Sequence, residues 1–319
     1  MRLALIKRPA IRPLPRGYTL HGYRIEKPVG GGGFSQVYLA TALERVEPVI
    51  VKEYLPSLQA RRLDDERVEP SSQQTISLYR QGIKRFFEEA SALAKIRHPN
   101  IVQVLDIFRA NNTVYMVMSY EEGRDLRWYI KRKNGGLSER FLRTVFPPLL
   151  HGLKELHDRQ MLHLDVKPAN ILLRPGGKPL LLDFGAVRPT VLQRKPPGPH
   201  TLTMGFAPIE QHQGGHMGPW SDLYAIGASM WACISGRPPP PATKRAVKDR
   251  HKPATRVYAR RYSAQLLEAI DWCLQLNQLE RPQNVQELLD SLDPAKQDEV
   301  AEPEGTLLGL SLRLPWEKG

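Results

Sequence analysis

Asp165, Lys167 and Asn170 lie within five residues of one another in the stretch His163-Leu164-Asp165-Val166-Lys167-Pro168-Ala169-Asn170. A carboxylate, an ammonium and an amide that close on a loop can present a base, a cation and a metal ligand toward one point. Further on, Leu180-Leu181-Leu182-Asp183-Phe184-Gly185 is an apolar run that ends in a second acid. Between the two, Ile171-Leu172-Leu173 is short and apolar, and Pro175-Gly176-Gly177 is a turn signal. The whole predicts loop, strand, hairpin turn, strand and a metal-binding acid.

These groups need a scaffold, and the chain ahead of them supplies strand and helix patterns. Residues 1–22 are basic and proline-bearing without sustained periodicity, which predicts an extended arm with order beginning near Tyr23. Tyr23 to Glu26 alternates like a strand, Gly30-Gly31-Gly32-Gly33 is a turn, and Val37 to Ala40 resumes a strand. That is the setting for a loop over nucleotide phosphates, because backbone amides approach a ligand closely only where side chains are absent. Val49-Ile50-Val51-Lys52 is an apolar strand that ends in a lysine, and the polar residues 58–78 predict an exposed insertion. A helix is expected from about Tyr79 to Arg97, with Glu89 on the face of Phe86, Ala90 and Leu93, and Glu88 pointing away. Strands are expected over 101–108 and 114–118. Beyond them, a helix capped by Ser138 should kink at Pro147-Pro148, since each internal proline costs about 3 kcal/mol unless the helix bends or restarts there. Lys195-Pro196-Pro197-Gly198-Pro199 predicts a mobile loop. Ser221-Asp222 predicts the cap of an apolar helix through Ile234, and two more helices are expected near 264–276 and 285–292.

The loop and the acid together resemble the catalytic core of protein kinases: His-Arg-Asp, Lys and Asn, then Asp-Phe-Gly. The resemblance covers roughly residues 23–292, and Lys-Glu-Tyr-Leu-Pro at 52–56, Pro-Ile-Glu-Gln at 208–211 and Gly-Pro-Trp-Ser-Asp at 218–222 bring it closest to the eukaryotic-like Ser/Thr kinases of bacteria. It implies an α+β fold of two lobes, a small β-rich N-lobe (about 23–120) and a larger helical C-lobe (about 121–292), followed by a tail over 293–319. It implies transfer of the γ-phosphate of ATP to protein Ser/Thr hydroxyls. Asp165 would accept the hydroxyl proton, Lys167 would sit against the transferred phosphate, and Asn170 and Asp183 would hold Mg2+. Gly30, Gly32, Gly33 and Val37 would cover the nucleotide, Lys52 would grip its phosphates and pair with Glu89, Met118 would stand behind the adenine, and Tyr120 would lie in the hinge. Glu210 and Arg281 match the distant ion pair that closes the activation segment. Thr203 matches the threonine that touches the catalytic aspartate in Ser/Thr kinases, and Asp222 would support the catalytic loop. Thr190, Thr201 and Thr203 are candidates for autophosphorylation.

Three positions depart from the pattern. Leu164 replaces the arginine that pairs with a phosphorylated activation loop, so that switch is not expected here. Ser35 replaces the third glycine of the loop, and Ile50 replaces an alanine over the adenine. These three are the support for an alternative, a pseudokinase that binds nucleotide or scaffolds. Against it, Lys52, Glu89, Asp165, Asn170 and Asp183 are all present.

Bulk properties narrow the setting. With 41% hydrophobic and 25% charged residues, the 319-residue chain can bury a sizeable core. Its net charge of +13 comes from two places: five Lys/Arg without an acid in residues 1–22, and nine Lys/Arg against one acid in residues 237–261. The second cluster reads either as a docking surface for an acidic protein substrate or as a solvated face that aids solubility. Nucleic acid is an unlikely partner, since only Tyr258 and Tyr262 could stack bases there. Cys233 and Cys273 read as buried small hydrophobes. With no signal-peptide core and no run of about 18 apolar residues, a cytoplasmic protein without a membrane span is expected.

Overall fold

The computed structural model describes residues 12–183, 188–189 and 202–293. The expectations for residues 1–11, Phe184, Gly185, Thr190, the Lys195–Pro199 loop, Thr201 and the tail beyond Asp293 lie outside them.

The N-terminal part is a six-stranded antiparallel sheet with one long helix. Its elements are β1 (Thr19–Leu20), β2 (Tyr23–Gly31), β3 (Ser35–Ala42), β4 (Glu47–Tyr54), a hairpin of β5 (Ala60–Arg62) and β6 (Val68–Pro70), α1 (Ile76–Leu93), β7 (Val104–Ala110) and β8 (Thr113–Ser119). The sheet order is β1-β2-β3-β4-β8-β7. Two register shifts interrupt the β2–β3 pairing, and the second follows Pro28, which has no N–H to give the ladder.

Register decides what each face of this sheet carries. Lys52 lies opposite Val37 on one side and Met116 on the other, and Ile50 lies opposite Met118. Directly opposed residues share a face, so these side chains form one inner face. The next residue, Glu53, points the other way, into an outer core of Leu14, Leu20, Ile25, Tyr38, Val51, Tyr115 and Val117.

Two sequence expectations fail on this outer face. Residues 12–20 are not a loose arm: Leu14 is fully buried, its amide donates to Tyr38 Oη at 3.1 Å, and the Gly17 amide donates to the Ile25 carbonyl at 2.7 Å. Residues 58–78 are not simply exposed either. Ala60 and Val68 are buried, and Arg62, with 1% of its side chain accessible, reaches Glu53 at 2.5 Å. Glu53 also accepts from Tyr38 Oη at 2.8 Å and Tyr115 Oη at 2.6 Å, and Arg62 Nε donates to the Arg12 carbonyl at 2.9 Å. The charge of Glu53 is thus met on every side, which is the condition for burying it.

The C-terminal part is mainly helical. In chain order it holds β9 (Arg124–Asp125), α2 (Leu126–Lys133), α3 (Glu139–Asp158), β10 (Met161–Leu162), β11 (Ile171–Leu173), β12 (Pro179–Leu181), β13 (Arg188–Pro189), α4 (Ile209–Gln213), α5 (Pro219–Ser235), α6 (Ala242–Val247), α7 (Ala254–Tyr258), α8 (Ala264–Cys273) and α9 (Val285–Leu292). Asp125 caps α2 through the Trp128 amide, and Ser138 caps α3 through the Phe141 amide. Helix α3 runs on through Pro147 and Pro148. Val145, Phe146, Leu149 and Leu150 around them are fully buried, so packing outweighs the two lost backbone bonds. The apolar helix α5 starts earlier than expected, at Gly218 and Pro219, so Asp222 sits in its first turn rather than at its cap. Likewise α1 begins at Ile76 and ends at Leu93.

Helices α5 and α8 pack closely, since a Cβ on Gly227 would collide with that of Cys273. Cys233 and Cys273 are fully buried there, and burial pushes both thiols up, Cys273 to about 12. Both should therefore resist maleimide at neutral pH in the folded protein and react after unfolding; rapid native labelling would contradict this packing. No helix of the described residues is long and apolar enough to cross a membrane.

Candidate active site

Helix α5 holds the loop that carries Asp165. Its Asp222, fully buried, accepts from the His163 amide at 2.9 Å, the Leu164 amide at 2.7 Å and His157 Nε2 on α3 at 2.9 Å. Burial alone would raise this carboxyl, but the bonds from His157 and the loop amides hold it below its ordinary range. It stays an anion that fixes two successive amides. His163 takes the complementary role. Its burial lowers the imidazole pKa, so the ring is neutral, with Nδ1 accepting from the Asp165 amide at 3.3 Å and Nε2 donating to the Leu182 carbonyl at 3.2 Å.

The Asp165 carboxylate is about a quarter exposed and heavily hydrogen-bonded. Lys167 Nζ donates to its two oxygens at 2.9 and 2.7 Å, Asn170 Nδ2 donates to Oδ2 at 3.0 Å, and Thr203 Oγ1 donates to Oδ1 at 3.1 Å. Lys167 also donates to Thr203 Oγ1 at 3.0 Å, which closes a ring of three side chains. Asn170 donates its nitrogen twice to Asp165, once to the backbone carbonyl at 2.9 Å, which leaves its amide oxygen outside both bonds. The Asn170 carbonyl accepts from the Leu182 amide at 2.8 Å, so the loop and the Asp183 backbone are tied side by side. Asp183 itself has φ of 57°, left-handed backbone that a non-glycine residue rarely adopts.

Across the cleft, Lys52 is buried on β4 and its ammonium pairs with Asp183 Oδ1. This corrects the expected Lys52–Glu89 pair: among the ion pairs of described residues, the partner of Lys52 is Asp183. Glu89 lies half-buried on α1, beside Phe86 and Ala90 as its spacing predicts. The reason is topological: Asp183 follows β12, the strand that the N-terminal part grips through the Val102 amide at 3.1 Å from the Leu181 carbonyl, and so it arrives under Lys52.

The glycine turn is the tip of the β2–β3 hairpin. Gly30 faces Val37 in register, Gly32 donates its amide to the Ser35 carbonyl at 2.9 Å, and the Gly33 carbonyl accepts from the Ser57 amide at 2.9 Å. A Cβ on Gly32 would meet nothing, whereas one on Gly31 would strike the Gln36 side chain. Met118 is buried at the end of β8, opposite Ile50, and Tyr120 beyond it is exposed.

The segment after the cleft is anchored from below. Glu210 is buried and makes a two-pronged pair with Arg281 at 2.8 and 3.1 Å, reinforced by Ser221 Oγ at 2.8 Å. Arg281 is buried too, and also donates to the Gln275 and Leu276 carbonyls. Sequence reasoning had matched this pair, but it missed His157, which is an ordinary helical histidine until α5 is packed against it. It missed Gln211 as well, whose amide nitrogen donates to the Leu164 carbonyl at 2.8 Å.

The comparisons agree with this geometry. A family model described as "Protein kinase domain" matches residues 23–292. Serine/threonine-protein kinase PrkC of Bacillus subtilis is 30% identical over 220 residues, which cover 68% of this chain and 31% of the relative. Serine/threonine-protein kinase B of Synechocystis is 29% identical over 305 residues, 88% of this chain and 49% of the relative. The chain thus spans a third to a half of the length of these relatives. Among solved structures, "PpkA-294 apo form" superposes with a TM-score of 0.78 at 32% identity, covering 88% of this chain and 99% of that one. The span of the match, the likeness to bacterial serine/threonine kinases and the loop gathered around Asp165 lead to one conclusion: the chain belongs to the protein kinase domain family.

Proposed function

We propose that this chain is an ATP- and Mg2+-dependent protein kinase that phosphorylates serine and threonine. The observation that carries the reading is the ring of Asp165, Lys167 and Thr203, with Lys52 and Asp183 in contact across the cleft. A hydroxyl brought to Asp165 meets a carboxylate oriented by three donors, suited to accept its proton as phosphate is transferred. Lys167, within reach of the same point, neutralises charge on the transferred group, and Thr203 fixes both side chains. Lys52 supplies the cation for the nucleotide phosphates, under the open backbone of Gly30, Gly32 and Gly33, with Val37 beside it. Met118 and Tyr120 border the adenine side.

The donor set fits a hard cation: the amide oxygen of Asn170 and the half-exposed carboxylate of Asp183 are oxygen ligands, and Mg2+ completes its shell with water and phosphate oxygens. When bound, the ion supplies charge neutralisation on the phosphates.

Leu164 is buried against Leu162 and Met217, where an arginine would need a charged partner, and this supports activity without a phosphorylated activation loop. Of the nine basic residues in 237–261, Arg245 is buried on Asp249 and the other eight are exposed, a surface that suits an acidic segment of the substrate. The unpaired, buried cysteines suit a reducing cytoplasm.

The test is transfer from labelled ATP with Mg2+ to the protein itself and to acidic and basic protein acceptors, followed by phosphoamino-acid analysis. Phosphoserine and phosphothreonine are expected, with the acidic acceptor preferred. Stabilisation by nucleotide without transfer to any acceptor would instead establish a pseudokinase.

A further inference from the structure

Leu164 occupies a costly position and is held there from both ends. Its φ is 58°, in the left-handed region, yet it is leucine and buried. Its amide is taken by Asp222 of α5 at 2.7 Å, and its carbonyl by the side-chain nitrogen of Gln211 on α4 at 2.8 Å. Gln211 is itself buried, and neither group at that bond faces water. The peptide between these two anchors leads directly into Asp165. The element that carries Gln211 is in turn fixed, because the preceding residue, Glu210, is the one clamped by Arg281 and Ser221.

We propose that Gln211 is a positioning residue for the catalytic loop: by holding the Leu164 carbonyl it keeps the left-handed turn that aims the Asp165 carboxylate at the acceptor hydroxyl. Two side chains then connect the acceptor-side segment to the base. Thr203 touches the carboxylate, and Gln211 sets the backbone that bears it. Asp222 and Gln211 divide the work, one ordering the amide before the turn and the other the carbonyl after it. Loss of Gln211 leaves a buried carbonyl without its donor and removes one of the two anchors of the left-handed turn.

The inference rests on the kinase reading for its activity arm only, and a second arm is independent of it. Gln211→Met keeps the shape of the side chain and removes the donor; Gln211→Glu keeps the size and sets an acceptor against the carbonyl. In both, kcat for transfer should fall by about 10- to 100-fold, the cost of a small misplacement of a catalytic group. The KM for ATP should stay close to wild type, and the melting temperature should fall by only a few degrees, as one unmet buried carbonyl implies. Amide hydrogen exchange in the peptide covering residues 161–167 should accelerate, while exchange in α5 stays unchanged. Wild-type kcat and wild-type exchange in both variants would overturn the proposal, and so would a kcat loss that tracks loss of ATP binding and of the whole fold. If wild-type protein transfers no phosphate, the kinase reading fails, and the exchange measurement still decides whether Gln211 holds the loop.

Discussion

Asp165→Ala should lower phosphate transfer by about 10²–10⁴-fold, the range for removing a positioned general base, and should leave nucleotide-induced thermal stabilisation in place. The change strips the central acceptor from a network in which Lys167, Asn170 and Thr203 all donate to one carboxylate. Nothing in that network touches Lys52, whose contact is with Asp183 on the other side of the cleft. Binding and chemistry are therefore expected to separate. Steady-state transfer and a thermal shift with and without nucleotide, on the same preparation, make the comparison. A variant that transfers at the wild-type rate would move the base elsewhere; one that no longer binds nucleotide would show that Asp165 supports the cleft rather than the reaction.

The second large effect is on stability and lies far from the catalytic loop. Arg62→Met should destabilise the protein by about 3–5 kcal/mol, because Glu53 would remain as a buried carboxylate without its cation. The hydroxyls of Tyr38 and Tyr115 would still donate to it, but they carry no charge. Adding Glu53→Gln to Arg62→Met should recover most of the loss, since a neutral amide tolerates the site that an anion does not. Urea midpoints of the single and double variants measure both statements. If Arg62→Met alone proves neutral, the pair contributes nothing that its neighbours do not already supply.

What could be read from the chain itself follows from how local the determinants are. Asp165, Lys167, Asn170 and Asp183 are close in sequence, and the strand and turn between them fix their approach, so their spacing was enough to expect them side by side. The Glu210–Arg281 pair is distant in sequence and became legible only through the family pattern. Three features stayed hidden for physical reasons. Leu14 sits in a stretch with no period, and its burial depends on Tyr38 and Ile25, which the chain reaches only after folding back. The hairpin β5–β6 looks like solvent-exposed chain because it buries the charged Arg62 beside only two buried apolar residues, Ala60 and Val68, and hydropathy assigns an arginine to water. The partner of Lys52 is set by how two lobes meet, and the helix face of Glu89 alone does not decide that. Helix α3 shows packing at work against propensity, since it runs on through Pro147 and Pro148 where its apolar side is buried.

The strap of residues 12–20 has a consequence for where the protein can be cut. The family-model match begins at Tyr23, but the cooperative folding unit begins earlier, because Leu14 and Leu20 are part of the outer core and the Arg12 carbonyl is a partner of Arg62. A fragment trimmed to the homologous boundary would lay bare one side of the sheet whose other side carries Lys52, and would expose the aromatic and aliphatic groups there as a sticky surface. The family-model boundary and the cooperative boundary differ in this chain, and fusion partners or tags belong upstream of Arg12.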